Sequence, residues 1–170
     1  MDIKIKDITL GGYNISIYKS DTIPEKLYHE TTDHLLGEPI EIPTCAPEVK
    51  ICFIAKIENE AIGFAYCNIY NEGTHLEAGS LGAGVKNEYR GIGIYSDLYN
   101  VRKNFIEEVY SCTIINAFSK NKITMKKFLS DGFFENGNAI DYSNISGITM
   151  YPRLSKIVTE NCKSKKIIRY

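Results

Sequence analysis

The alternation of apolar and polar residues predicts the first elements of the chain. Residues 3 to 19 alternate around Gly11 and Gly12, which indicates one or two strands joined by a turn. A helix is then predicted from Thr22, which opens a capping-box-like segment, to Gly37, which can end it. The N-terminal part of the chain is therefore expected to contribute strand, then helix.

The middle of the chain reads as three consecutive strands. Residues 49 to 57 and 61 to 70 are the arms of a predicted β-hairpin, with Glu58 to Glu60 as its turn and Gly63 as the site of a bulge. A third strand, from about residue 74 to residue 86, follows directly. This order predicts an antiparallel meander in the centre of the sheet.

The C-terminal half alternates helices with strands. Apolar residues from Ile94 to Val109 recur at helical spacing, residues 112 to 118 form a β-rich run, and a second helix is predicted from Asn121 to Asp131. Phe133-Phe134 and residues 145 to 151 indicate two closing strands. The whole order predicts an α+β domain with a mixed, mostly antiparallel sheet of about six to seven strands flanked by helices.

Length and composition predict one ordinary globular domain. Residues 1 to 153 are assigned to the domain, and residues 154 to 170 to a basic C-terminal tail for which a helix is one option. A net charge of −1 carries no strong field, so neither nucleic acid nor a membrane is the expected partner. With no signal peptide and no apolar run of roughly 20 residues, we expect a cytoplasmic protein.

Cysteine and histidine spacing gives no sign of a metal site. The five cysteines show no Cys-x-x-Cys spacing and lie mostly in apolar runs, so we interpret them as reduced, packed thiols: Cys45, Cys52, Cys67, Cys112 and Cys162. His29 and His34 resemble a zinc-protease motif but are five residues apart, which puts them on different faces of a helix. No metal is predicted.

The most informative segment joins a strand to a helix through two glycines, in the run Asn87-Glu-Tyr-Arg90-Gly91-Ile-Gly93-Ile-Tyr95. Glycine permits positive φ and a close approach of the backbone to a ligand. The unpaired N–H groups at the start of the following helix favour an anion. The segment is therefore interpreted as a cradle for a pyrophosphate.

Two motifs in this order resemble the GNAT superfamily of N-acetyltransferases, over roughly residues 48 to 136. The loop from Val85 to Ile94 is similar to the acetyl-CoA loop, written Arg/Gln-x-x-Gly-x-Gly/Ala. The run Asn121-x-x-Thr124-x-x-x-Phe128-x-x-x-Gly132-Phe133 is similar to a second signature, in which an asparagine opens a helix that closes in Gly-Phe. The resemblance implies the GNAT fold, with a V-shaped splay of the sheet at the cofactor site.

The resemblance also implies a binding site for acetyl-CoA as cosubstrate. The implied cofactor-binding residues lie on the strand and the loop, apart from one residue that opens the later helix: Gly84, Val85, Arg90, Gly91, Ile92, Gly93, Ile94, Tyr95 and Asn121. Main-chain groups near Gly82 to Val85 are expected to pair with the pantetheine arm. For Asn121 the alternative is a plain helix cap.

Glu77 is the candidate general base, because it lies on the strand before the loop and a carboxylate there can accept the proton of an amine. His75, with the same strand parity, is its rival. The alternative interpretation treats both as ordinary polar positions on a half-exposed strand.

The sequence departs from the family pattern at two places. Tyr95 stands at the final Gly/Ala position when Arg90 is taken as the first, whereas a register that begins at Glu88 places both glycines. Phe128 stands where many members carry a tyrosine that protonates the leaving thiolate, and a phenyl ring has no such proton. Tyr142 and Tyr151 are alternative donors, although nothing singles them out.

The resemblance implies an N-acetyltransferase that moves an acetyl group directly from acetyl-CoA to a primary amine of a small molecule or a peptide. The acceptor side is expected to be acidic and so to favour a cationic amine, through Glu25, Glu30, Asp33, Glu38, Glu41 and Glu48. Direct transfer is expected because no histidine partner for Cys67 or Cys112 is evident. The alternative function is a CoA-binding sensor or interaction module without catalysis, and a homodimer is an open possibility.

Overall fold

The computed structural model describes residues 2–36, 49–71, 76–110, 112, 114–118, 121–141 and 149–158. The helices are α1 (Glu25–Leu36), α2 (Ile94–Asn104) and α3 (Lys122–Ser130). The strands are β1 (Ile3–Leu10), β2 (Tyr13–Ser20), β3 (Val49–Ile57), β4 (Glu60–Asn71), β5 (Leu76–Val85), β6 (Ile114–Phe118), β7 (Phe134–Asp141) and β8 (Thr149–Ile157).

These strands form a single sheet in the order β1-β2-β3-β4-β5-β6-β8-β7. Every neighbouring pair is antiparallel except β5 and β6, which are parallel. The predicted α+β class and mixed sheet are confirmed, but the described chain has eight strands instead of six to seven. The N-terminal run forms two full strands because Gly11 and Gly12, both at positive φ, turn the chain back on itself.

Three boundaries differ from the sequence-based expectation. The predicted long helix is α-helical only to Asn104 and continues as a π-helical turn over Phe105–Val109. The hairpin bulge lies at Ile62, next to the expected Gly63. Strand β8 runs to Ile157, so residues 154 to 157 belong to the sheet and the helix option for them is wrong. Leu154 is fully buried in this strand. The basic residues around it in the sequence gave no sign of this burial.

Side-chain alternation divides the core between the two faces of the sheet. On one face α2 and α3 contribute Ile94, Leu98 and Phe128 to the main cluster. On the other face α1 contributes Leu27 and Tyr28, and Phe64 and Tyr66 of β4 pack against them. Successive strand residues point to opposite faces, so away from the bulges the described side chains of the central strands divide between the α2 face and the α1 face.

Strands β5 and β6 diverge soon after they meet. Their parallel register covers only Glu77 with Ile114 and Ala78 with Ile115, although β5 continues to Val85. The ladder between β4 and β5 also shifts register where Tyr66 and Asn68 of β4 pair with Gly82 and Gly79, which leaves one extra residue on β5. The expected V-shaped splay is therefore present, and its arms open toward the glycine loop.

Candidate functional site

The glycine loop connects the open end of β5 to the start of α2. After Val85 the chain makes one 3₁₀ turn, Asn87–Tyr89, and then passes through Gly91 at φ 81° and Gly93 at φ 103°. Gly93 is the N-cap residue of α2, so the unpaired N–H groups of the first helical turn follow it directly. This arrangement of backbone amides suits an anion such as a phosphate.

The N-terminal hairpin supports the loop from one side. A Cβ atom on Gly11 would lie 2.8 Å from Cγ2 of Ile92, so the β1–β2 turn is in close contact with the loop. The rings of Tyr13 and Tyr89 meet edge-on with centroids 5.5 Å apart. This support was not foreseen, because the sequence gives no sign that the first two strands reach the loop.

Most side chains of the loop are engaged within the protein. Arg90 turns back and donates from Nε to the carbonyl of Val85 at 2.9 Å. Ile94 is only 1% exposed and belongs to the core, while half-buried Tyr95 lies with its ring centroid 6.2 Å from that of Tyr99. What the loop offers to a ligand is therefore chiefly its backbone.

The glycine geometry bears on the register of the motif. Both Gly91 and Gly93 adopt the left-handed conformation that favours glycine, and they stand before the helix. Tyr95 lies inside the first helical turn, where a glycine is not required. The geometry thus favours the register that begins at Glu88, which puts an acid where the family motif has Arg or Gln.

The free edge of β5 is defined by its pairing with β4. Gly63 faces Val85 across the ladder, and the N–H of Lys86 donates to the carbonyl of Ile62 at 2.9 Å. In an antiparallel ladder this pattern directs the N–H and C=O of Val85 away from β4, and by the same alternation those of Ala83. The N–H and C=O of Ala83 and the N–H of Val85 thus point to the splay, while the C=O of Val85 accepts from Nε of Arg90.

Gly84 occupies a different position from the one that the sequence suggested. Its pairing with Phe64 directs its backbone polar groups toward β4. A Cβ atom at Gly84 would lie 2.1 Å from Oγ1 of Thr31, so glycine there permits the close approach of α1. Ala83, which sequence reasoning did not single out, takes its place at the edge. Only the parity of the β4–β5 register distinguishes these two residues.

A buried arginine donates hydrogen bonds at the bulge between β4 and β5. Arg102 of α2 is 2% exposed, and its Nη1 donates to the carbonyls of Tyr66 at 3.2 Å and Gly82 at 2.9 Å. Its guanidinium also lies over the ring of Tyr99, 5.6 Å from the centroid. The guanidinium thus donates to one carbonyl of β4 and one of β5 at the point where the register between the two strands shifts.

Glu77 lies on the α1 face at the base of the splay. Ala78 points to the α2 core, so Glu77 and Gly79 point to the opposite side, as do Asn68 and Tyr70 of β4. The side-chain amide of Asn116 on β6 donates to Oε1 of Glu77. The rival base, His75, lies outside the described residues.

Asn121 and Phe128 both have structural roles in α3. Oδ1 of Asn121 accepts from the N–H of Ile123 at 2.8 Å and from that of Thr124 at 3.4 Å, so the residue is a helix N-cap. Phe128 is buried between the rings of Tyr99 and Phe133, with centroids at 5.5 and 4.8 Å. The position at which the family often has a tyrosine is thus part of the aromatic core here.

Three cysteines lie in the described chain, and all three are free and buried. Burial raises the pKa of Cys52, Cys67 and Cys112 to about 12 in each case. Thiols with so high a pKa are poor nucleophiles at neutral pH, because the thiolate is the reactive form. The expectation of reduced, packed thiols is confirmed for these three, while Cys45 and Cys162 lie outside the described residues.

Only part of the expected acidic region can be located. Glu30 lies 3.7 Å from the ammonium groups of both Lys26 and Lys86, which offset its charge, and Glu25 opens α1 at an exposed position. The other acidic residues named above lie outside the residues whose side chains are described: Asp33, Glu38, Glu41 and Glu48. The same holds for the side chains of Tyr142 and Tyr151.

The described chain shows neither a membrane-spanning helix nor a metal-binding cluster. Among its helices none is long and apolar enough to cross a membrane. Within the same residues, no group of three or more histidine, cysteine or carboxylate side chains converges as metal ligands would.

Comparison with known proteins identifies the fold. No family model and no curated protein sequence matches the chain. Among solved structures, a putative phosphinothricin N-acetyltransferase superposes with a TM-score of 0.64 at 17% identity, over 85% of this chain and all (100%) of that one. The ribosomal-protein-S5-alanine acetyltransferase from Vibrio fischeri gives 0.61 at 16% identity, over 94% and 98% of the two chains.

The GNAT domain of S. lividans PAT is similar to the same degree, with a TM-score of 0.58 at 16% identity over 90% of this chain and 96% of that domain. These likenesses span nearly the whole of each structure. The chain therefore has the GNAT acetyltransferase fold, as the two sequence motifs led us to expect. At such low identity the likeness establishes the fold, and the activity has to be argued from the site.

Replacing Arg102 tests whether the bulge depends on it. Arg102→Met removes both hydrogen bonds of the buried guanidinium, so we expect a loss of about 2–4 kcal/mol in the free energy of unfolding. Arg102→Lys keeps the charge and one donor and should lose less. Urea denaturation measures both, with the exposed Lys126→Met as control. An Arg102→Met protein as stable as the control would contradict the bracing role.

Proposed function

We propose that the protein is an N-acetyltransferase that transfers the acetyl group of acetyl-CoA to a primary amine. The observation that carries the proposal is the continuity of the splay and the loop. The diverging edge of β5 leads through one 3₁₀ turn into two left-handed glycines at the N-terminus of α2. One extended ligand with a polar arm and a pyrophosphate fits this path.

Acetyl-CoA has both parts. Its pyrophosphate is assigned to the backbone amides of Gly91 to Tyr95, where the helix N-terminus favours negative charge. Its pantetheine arm is assigned to the N–H and C=O of Ala83 and the N–H of Val85, as an added strand would pair. Asn121, the N-cap of α3, is assigned to the same arm.

The transfer is a single displacement of coenzyme A by the amine. A neutral amine nitrogen attacks the carbonyl carbon of the thioester, the C–S bond breaks, and the sulfur leaves with the bonding electrons as a thiolate. The nitrogen gives one proton to Glu77, directly or through water, and the thiolate takes one proton from water. The products are the acetamide and free coenzyme A, and Glu77 returns its proton to solvent.

Two features support this division of roles. Glu77 is on the face of the sheet that carries Asn68 and Tyr70, opposite the α2 core, so an acceptor can approach it from the α1 side. Burial of Cys67 and Cys112 supports direct transfer without a covalent acyl-enzyme.

A sensor that binds CoA without turnover is the second candidate function. One observation favours it: Phe128 fills the family's tyrosine position with an aromatic core residue that has no proton to give. Under the first proposal, solvent protonates the thiolate, which is acceptable because a thiolate is a stable leaving group. The two candidate functions are distinguished by whether the protein consumes the acetyl-CoA that it binds.

Gly93→Glu tests the cosubstrate site. The glutamate puts bulk and negative charge at the N-cap of α2, so we expect wild-type binding of acetyl-CoA in the micromolar range, about −8 kcal/mol, and none by the variant. Isothermal titration measures both. Gly137→Glu is the matched control, because Gly137 also has a positive φ but lies on β7, where an added Cβ atom meets nothing within 4 Å.

Two results of the titration would contradict the assignment of the cosubstrate site. If Gly93→Glu binds acetyl-CoA as tightly as Gly137→Glu does, the loop is not the site. If the folded wild type binds no acetyl-CoA, the cosubstrate assignment is wrong, and the protein keeps the fold without the function.

Glu77→Gln tests the general base. Glutamine keeps the shape and accepts the same hydrogen bond from Asn116 but cannot take a proton at neutral pH. We expect kcat to fall about 10²–10⁴-fold while the KM for acetyl-CoA stays the same. Thiol release is followed with spermidine, glucosamine and a lysine-containing peptide as acceptors. A Glu77→Gln enzyme with wild-type kcat would remove Glu77 from the mechanism.

A further inference from the structure

A chain of three hydrogen bonds crosses four strands and ends at Glu77. Nδ2 of Asn136 donates to Oγ of Ser155 at 3.3 Å, and Oγ of Ser155 donates to Oδ1 of Asn116 at 2.6 Å. Nδ2 of Asn116 then donates to Oε1 of Glu77. Strands β7, β8, β6 and β5 each supply one of these side chains.

Every donor in this series of three hydrogen bonds points toward the carboxylate of Glu77. A hydroxyl has one hydrogen, and Ser155 gives it to Asn116, so the carbonyl oxygen of that amide is already satisfied. The amide must then present its NH₂ group to Glu77. The opposite orientation would place a carbonyl oxygen against a carboxylate and leave the Ser155 hydroxyl, which is 3% exposed, without an acceptor.

The series of hydrogen bonds reaches Glu77 at the point where β5 and β6 diverge. Glu77 faces Ile114 in the parallel register, and Asn116 follows on β6 with the same side-chain direction. Ile115 and Ala117 point to the α2 core, which places Asn116 on the α1 face. The contact therefore joins the two arms of the splay immediately below the point at which they diverge.

We propose that Asn116 is a positioning residue for Glu77, and that Ser155 fixes the orientation of Asn116. The amide holds Oε1, so Oε2 faces the acceptor amine and receives its proton. The inference rests on the proposed function and goes beyond it, because it assigns the direction of the base to a side chain 39 residues away on the neighbouring strand. A purely structural polar cluster would stabilise the fold without any effect on the pH dependence of the rate.

Asn116→Asp tests this role through the pH profile. A second carboxylate beside Glu77 disfavours ionisation of the base, so the acid limb of kcat/KM should move to higher pH. Asn116→Ala should lower kcat by about 10- to 100-fold at unchanged KM for acetyl-CoA, because the base is no longer held in place. Ser155→Ala should act in the same direction with a smaller loss.

Asn104→Asp is the matched control, since it makes the same change at an exposed position at the end of α2. Its profile should equal that of the wild type. If Asn116→Asp does not fold, Ser155→Ala and Asn116→Ala carry the test through the split between kcat and KM. Variants that lose stability but keep the wild-type kcat and pH profile would overturn the positioning role.

The two proposals fail in different ways. A wild type that acetylates none of spermidine, glucosamine and the lysine-containing peptide contradicts the proposed function, and the positioning role falls with it. An active wild type whose rate profile is unchanged in Asn116→Asp contradicts the positioning role alone.

Discussion

The divergence of β5 from its parallel neighbour is the constraint on which the rest of the site depends. Two residue pairs hold the strands together, after which the backbone groups on that edge of β5 have no partner on β6. A strand edge with unpaired N–H and C=O groups binds extended ligands well. It is unstable if these groups are buried away from water without a hydrogen-bond partner. The proposed cosubstrate arm supplies the missing partner, so the opening in the sheet is what makes binding possible.

The surrounding elements keep this opening in shape. At the bulge, the buried guanidinium of Arg102 donates to the carbonyls of Tyr66 on β4 and Gly82 on β5. Below the opening, the contact between Asn116 and Glu77 ties the arms together. Beyond it, the N-terminal hairpin packs against the loop at Ile92. Each contact joins segments that are far apart in the chain, so the site depends on the complete fold.

The local signals in the sequence predicted the loop well. Gly91 and Gly93 stand between an apolar run and an amphipathic run, and both glycines adopt the positive φ that only such residues take easily. The meander was equally readable, because its strands are continuous apolar or alternating runs. The number of strands was underestimated, since the turn at Gly11 and Gly12 left open whether one strand or two precede α1.

Features that depend on register or long-range contact could not be read in the same way. Ala83 and Gly84 are adjacent, and only the pairing with β4 decides which of them faces the splay. Arg102 looks in the sequence like a solvated cation near a helix C-terminus, a position that charge commonly takes. Asn116 and Ser155 become neighbours only through the β6–β8 ladder, 39 residues apart.

The central claim is that acetyl-CoA completes the open edge of β5. Amide NMR of ¹⁵N-labelled protein, titrated with acetyl-CoA and followed by hydrogen exchange, tests this claim most directly. The account predicts that the amides of Ala83 and Val85 shift and become protected, together with those of Gly91 and Gly93, while that of Gly84 changes little because it already pairs with β4. Binding that leaves Ala83 and Val85 unprotected would contradict the account.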